Sequence, residues 1–127
     1  VCKYNRFRSK VAEAYFKKLN KNKNIKAASA GVFKGIPVSK NLISIGKKLG
    51  IKINDPTRGL REDLLDKIDI IIIVANNVPA SLFQKVKKVI VWKIPDTNQN
   101  NKKEIKKIIK QIMKKVEGLV NKLERRK

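Results

Sequence analysis

A cysteine at position 2, an arginine six places later and a serine directly after it lie in the stretch Cys2-Lys3-Tyr4-Asn5-Arg6-Phe7-Arg8-Ser9. These residue types in this order suit phosphoryl transfer to sulfur. A thiol is a poor nucleophile at neutral pH unless a positive environment favours its thiolate. A loop running into the start of a helix offers that environment, through unpaired backbone N–H groups and the positive end of the helix dipole. The same N–H groups suit phosphate oxygens, and Arg8 adds a planar fork able to grip two of them. Ser9 can donate to the sulfur and ease its departure in a second step, while Asn5 can hold a strained loop through side-chain hydrogen bonds. Cys2 is therefore the candidate nucleophile, and Lys3, Tyr4, Asn5, Arg6, Phe7, Arg8 and Ser9 the candidate anion-binding loop. The competing reading is a small cysteine buried at a strand end, an ordinary core role.

The residue types that are missing narrow the chemistry further. Among 127 residues there is no His and a single Cys. Ser-His-Asp and Cys-His devices, an HExxH zinc site, a four-thiolate metal site, a CxxC redox pair and an internal disulfide are all excluded. No cofactor or metal is implied, and an unpaired Cys favours a cytoplasmic protein. A proton carrier must then be a carboxylate, because the leaving oxygen in phosphoryl transfer needs an acid. Of the ten acidic residues, Glu13 and Glu104 fall on helical segments where solvation is the default. Asp55 precedes Pro56 in a turn and suits capping, and Asp69 opens a strand, facing solvent or a cap. Asp96 differs. It lies in Trp92-Lys93-Ile94-Pro95-Asp96-Thr97, just past an apolar strand and on the side where Cys2 would sit. Taken alone, a capping or turn role for Asp96 is at least as good a reading.

The elements that must position these groups alternate between strands and helices. Residues 9–19 read as a helix with Ser9 as N-cap and Val11, Ala12, Tyr15, Phe16 and Leu19 on one face. A polar turn follows at 20–24, then a short strand at 25–31 and a loop containing Gly35 and Pro37. A second helix spans 39–49 and stops at Gly50. After turn chemistry at 55–59, a short helix is expected at 61–67. The β-branched run at 70–74 reads as a strand covered on both faces, as in a parallel sheet. Residues 79–87 read as a helix, 89–92 as another buried strand, and 104–123 as a long helix with Ile105, Ile108, Ile109, Ile112, Val116 and Leu119 at helical spacing. The alternation implies one α/β domain over residues 1–127, with a parallel sheet flanked by helices and a site at the carboxyl ends of its strands. Because the chain opens on Val-Cys, an apolar strand is expected to precede Val1.

No apolar run approaches the roughly 20 residues that span a bilayer, and no membrane partner is expected. The net charge of +22 invites a nucleic-acid reading. The lysines are nevertheless spread along the chain, as on solvated helix faces, and nucleic acid is the less favoured partner. Anionic ligands such as phosphate or sulfate should be attracted in either case.

Over nearly its whole length the chain resembles the low-molecular-weight protein tyrosine phosphatase family, whose fold also hosts thioredoxin-coupled arsenate reductases. The resemblance rests on Val1–Ser9 as the signature loop, Ser29-Ala30-Gly31, the strand at 70–74 and the segment from Trp92 to Asp96. It implies a three-layer sandwich with a four-stranded parallel sheet, its phosphate-binding loop following the first strand. It also implies Cys2 as nucleophile, Arg8 as phosphate clamp, Asn5 and Ser9 as loop supports, Asp96 as general acid, and Phe33 as a candidate pocket wall with a core role as the alternative. The implied activity is hydrolysis of phosphotyrosine or similar aryl phosphates, on proteins or small molecules, through a phosphocysteine. Tyr4 stands where the family commonly has Gly, Phe7 where many members carry a second Cys, and Thr97 to Asn100 where Pro and aromatic residues often follow the Asp. The alternatives are an arsenate reductase using an external thiol and a non-catalytic polyanion or nucleic-acid binder on the same scaffold.

Overall fold

The computed structural model describes residues 1–54, 56–98 and 100–125. Asp55, read as a cap, and Gln99, part of the polar run after Asp96, lie outside the described residues. The β-branched run forms strand β1 (Ile70–Val74), where branched side chains fit a pleated surface. It pairs in parallel with β2 (Lys88–Trp92), Ile70 opposite Lys88 and Val74 opposite Trp92. Both faces of β1 are covered, as a parallel sheet requires. Ile71 and Ile73 join Cys2, Val78, Phe83 and Val86 in one apolar cluster, and Val74 joins a larger one on the other side.

Helices provide the covering layers. Helix α1 (Arg8–Leu19) contributes Val11, Tyr15 and Phe16 to the larger cluster, and α2 (Lys40–Lys48) contributes Leu42 and Ile45. The Ser39 hydroxyl caps α2 by accepting from the Leu42 amide at 3.2 Å. On the other face lie α3 (Glu62–Leu65), through Leu65, and a 3-10 turn at Ala80–Phe83, through Phe83. Helix α4 (Lys102–Arg125) completes the larger cluster with Ile105, Ile108, Ile109, Ile112 and Val116. The result is an α/β architecture with helices flanking a parallel sheet.

The sheet itself corrects the expectation of four strands: among the described residues it has two. The expected strand at 25–31 contributes only isolated parallel bridges at Gly31, to Cys2 and to Gly59. Its burial still alternates, Ile25 and Ala27 packing on the core while Lys26 and Ala28 are exposed. Val1 lies against β1, its nitrogen 2.7 Å from Ile72 O and its carbonyl accepting from Val74 N at 2.7 Å, and Cys2 bridges on to Gly31.

Smaller differences follow similar logic. The helix expected over 79–87 is the short 3-10 turn, because only Phe83 and Val86 there find the core while Leu82 is half exposed. The helix expected over 61–67 is confined to α3. β2, expected to be buried, is the outer strand of the pair, with Trp92 buried and Val91 43% exposed. Helix α1 begins at Arg8 with Phe7 as its N-cap, so Ser9 sits inside the first turn and not at the cap.

Candidate active site

The stretch from Cys2 to Arg8 curls between the end of the Val1–Cys2 segment and the first turn of α1. Its carbonyls are occupied on one side: Cys2, Lys3 and Tyr4 accept from the amides of Val32, Phe33 and Gly35 at 3.0, 2.9 and 3.1 Å. Among the described residues, the backbone N–H groups of Lys3 through Arg8 have no acceptor. Orphan donors gathered at a helix start are the ingredients of an anion site. Asn5 is the one described non-glycine residue with positive φ, at 55°, and this left-handed backbone costs Asn less than most residues. Its side chain holds the turn. Nδ2 donates to Ser9 Oγ at 2.8 Å and Ser29 Oγ at 2.9 Å, while Oδ1 accepts from the Arg58 amide at 3.0 Å. Ser9 Oγ in turn lies 3.0 Å from Cys2 Sγ.

Arg8 is 2% exposed and pinned from behind. Nη1 donates to Ile94 O at 2.9 Å and approaches Asn76 Oδ1 at 3.5 Å, while Nη2 donates to Asn77 Oδ1 at 3.1 Å. Asn76 and Asn77 follow β1, and Ile94 follows β2, so the carboxyl ends of both strands aim this guanidinium. Asp96 Oδ2 stands 3.8 Å from Nη2, with Asp96 half exposed and its Oδ1 accepting from the Thr97 amide at 2.9 Å.

A cavity of about 340 Å³ brings these groups together, lined by Cys2, Tyr4, Arg6, Phe7, Arg8, Asp96, Thr97 and Asn98. Asn5 and Ser9 are buried outside its lining, and Lys3, also outside the lining, holds its Nζ 5.3 Å from the Tyr4 ring centroid. Phe33 is not among the lining residues. It is 57% exposed, which removes the core alternative, and its ring centroid lies 6.1 Å from that of Tyr4. A thiol, a guanidinium and a carboxylate gathered at one cavity can bind an oxyanion and exchange a proton with its leaving group.

The family model for low molecular weight phosphotyrosine protein phosphatase matches residues 1–127. The chain belongs to this family. Among solved structures, arsenate reductase from Archaeoglobus fulgidus DSM 4304 is 27% identical with a TM-score of 0.78, covering 94% of this chain and 95% of that one. Low molecular weight protein tyrosine phosphatase from T. tengcongensis is 26% identical with a TM-score of 0.81, covering 95% of each chain. Vibrio vulnificus Wzb in complex with benzylphosphonate is 19% identical with a TM-score of 0.80, covering 95% of this chain and 94% of that one, a likeness of fold alone. No curated protein matches the sequence.

Within this phosphatase-family chain, several site residues escape a reading by residue type. Glu13, expected to be solvated, accepts from the Ser29 hydroxyl and from Lys17 Nζ, the latter at 2.6 Å. Burial alone would raise its carboxyl, but the hydrogen bonds from Lys17 and Ser29 and the nearby lysine charges outweigh it and hold the group below its ordinary value. The spacing carried a hint, since Ser9, Glu13 and Lys17 are four apart and share one face of α1. Asn76 and Asn77 offered no such pattern: their partner, Arg8, is 68 and 69 residues away in sequence.

Proposed function

We propose that this chain is a cysteine-dependent phosphomonoesterase acting on phosphotyrosine or similar aryl phosphates. The observation that supports it best is the shared cavity, in which Cys2, Arg8 and Asp96 meet beside a run of unpaired amides. The Cys2 thiolate attacks phosphorus in line, and the oxygen–phosphorus bond to the alcohol or phenol breaks. Asp96 protonates the departing oxygen. Asp96 then takes a proton from water as that water attacks the phosphocysteine, releasing phosphate and the thiolate. Arg8 and the amides of Lys3 to Arg8 stabilise charge on the equatorial oxygens throughout. Ser9 donates to the sulfur and makes it a better leaving group in the second step.

Hydrolysis of para-nitrophenyl phosphate by purified protein tests this reading. Cys2→Ser should reduce turnover to background, whereas substantial activity in that variant eliminates the phosphocysteine route. Arsenate reduction is the second reading, favoured by the likeness to the Archaeoglobus reductase. Cys2 is the sole thiol, so electrons would have to come from an external thiol. Arsenite formation that depends on added small thiol is the outcome that would establish it.

A further inference from the structure

The lining of the cavity includes two aromatic residues, Tyr4 and Phe7, two arginines, Arg6 and Arg8, and the polar run Asp96, Thr97 and Asn98. One guanidinium is enough to clamp a phosphate, and the buried Arg8 fills that place in the proposed reaction. Arg6 is left as a second arginine bordering the same cavity.

Arg6 is a held side chain. Its Nε donates to Ile36 O at 3.1 Å and Pro37 O at 3.3 Å, and its Nη2 donates to Pro37 O at 3.2 Å. Those carbonyls belong to the 33–37 segment, which is fastened to the cysteine loop by the Gly35 amide on Tyr4 O at 3.1 Å and to the 57–59 stretch by the Thr57 hydroxyl on Gly35 O. The contact is close. A Cβ built on Gly35 would fall 2.8 Å from Arg6 Cγ and 2.7 Å from Tyr4 O. A guanidinium anchored through carbonyls on one edge, with Nη1 taking no part in the anchoring, is oriented before any ligand arrives. Such a fork matches a carboxylate or phosphate oxygen pair.

We infer that Arg6 is a specificity-determining residue that recognises a second anionic group close to the phosphate of the substrate. This rests on the phosphomonoesterase reading and narrows its substrates to phosphomonoesters bearing an adjacent oxyanion. That oxyanion can be an acidic side chain flanking a phosphorylated residue or a substituent on a small aryl phosphate.

Two substrate pairs test the inference at physiological ionic strength. One is a phosphotyrosyl peptide flanked by Glu against the same peptide flanked by Ala. The other is a carboxylated phenyl phosphate against phenyl phosphate. Turnover is compared in the wild type, Arg6→Gln, Arg6→Lys and Lys110→Gln, the last removing a solvent-facing charge on α4. Comparing each ratio between variants cancels the leaving-group difference. Peptide binding to Cys2→Ser, with and without Arg6→Gln, is measured by calorimetry.

The acidic member should be preferred by about tenfold in kcat/KM, the low end for a charge-assisted hydrogen bond. Arg6→Gln should bring that ratio near unity and Arg6→Lys should retain part of it, with Lys110→Gln leaving it intact. A preference in the peptide pair alone identifies a flanking side chain as the source, and one in both pairs includes small substrates. Ratios unchanged by Arg6→Gln overturn the inference, as does a preference that Lys110→Gln erodes equally, the mark of diffuse charge. Absent turnover with an Arg6-dependent binding preference overturns the phosphatase reading and retains the anion subsite. Turnover without that preference overturns the subsite alone.

Discussion

The hydroxyl of Ser9 has one proton to give, and its neighbours decide where it goes. Asn5 already donates to Ser9 Oγ and Ser29 Oγ, and Ser29 donates onward to Glu13. Ser9 Oγ lies 3.0 Å from Cys2 Sγ, and in the proposed reaction, where the sulfur acts as a thiolate with no proton of its own, the Ser9 O–H is the donor of that pair. In the proposed reaction Asp96 stands on the other side of the reacting phosphorus. Asp96→Asn should slow phenyl and alkyl phosphates by about a hundredfold or more, the usual range for a positioned acid, and para-nitrophenyl phosphate far less. Equal losses across a leaving-group series would remove Asp96 from the acid role. At this scale the sequence was legible where one residue carries its own chemistry: a lone thiol, an arginine six places on and a carboxylate after a strand. It was illegible where chemistry depends on distant partners. Nothing near Asn76 or Asn77 announces that they aim Arg8, and Phe33 shows how an aromatic residue near a site can stay outside its lining.

At the scale of elements, the cysteine loop takes its shape from what packs behind it. Gly31 is the clearest case: a Cβ there would fall 2.6 Å from Asn5 N and 2.6 Å from Tyr4 C, both backbone atoms that cannot swing aside. Gly31→Ala should therefore cost about 1–3 kcal/mol of stability and lower kcat/KM disproportionately, as thermal melts and kinetics on one preparation would show. Glu13 ties α1 to the 25–31 segment. Its carboxyl is held below the ordinary 4.5 in the folded protein, so the stability it contributes is present above that pH and is lost as pH falls through the folded value. Glu13→Gln should destabilise the protein by about 1 kcal/mol at neutral pH, with the difference from wild type shrinking in acid, as urea titrations at several pH values would reveal. Periodicity made α1, α2, β1 and α4 readable, because an apolar face repeats where it meets a core. Pairing left no such trace. The 25–31 segment has a strand's alternation and no ladder, because a ladder depends on the backbone that pairs with a segment and not on that segment's own residues alone.

For the molecule as a whole, the charge of +22 resides largely on solvent-facing surfaces. On α4 the buried stripe Ile105, Ile108, Ile109, Ile112 and Val116 faces the core, while Lys102, Lys103, Lys106, Lys107, Lys110, Lys114 and Lys115 are exposed. That arrangement is what an amphipathic helix requires, with or without a polyanion partner. The same economy governs α1, which sends Arg8, Ser9 and Glu13 to the site and Val11, Tyr15 and Phe16 to the core. A helix so shared leaves the reaction centre no hinge of its own. Amide protons from Val11 to Phe16, the hydrogen-bonded part of α1 beyond its open first turn, should exchange with solvent only through global opening, at rates that match the unfolding free energy from denaturant. Faster exchange confined to those amides would mean that the centre breathes independently of the fold that carries it.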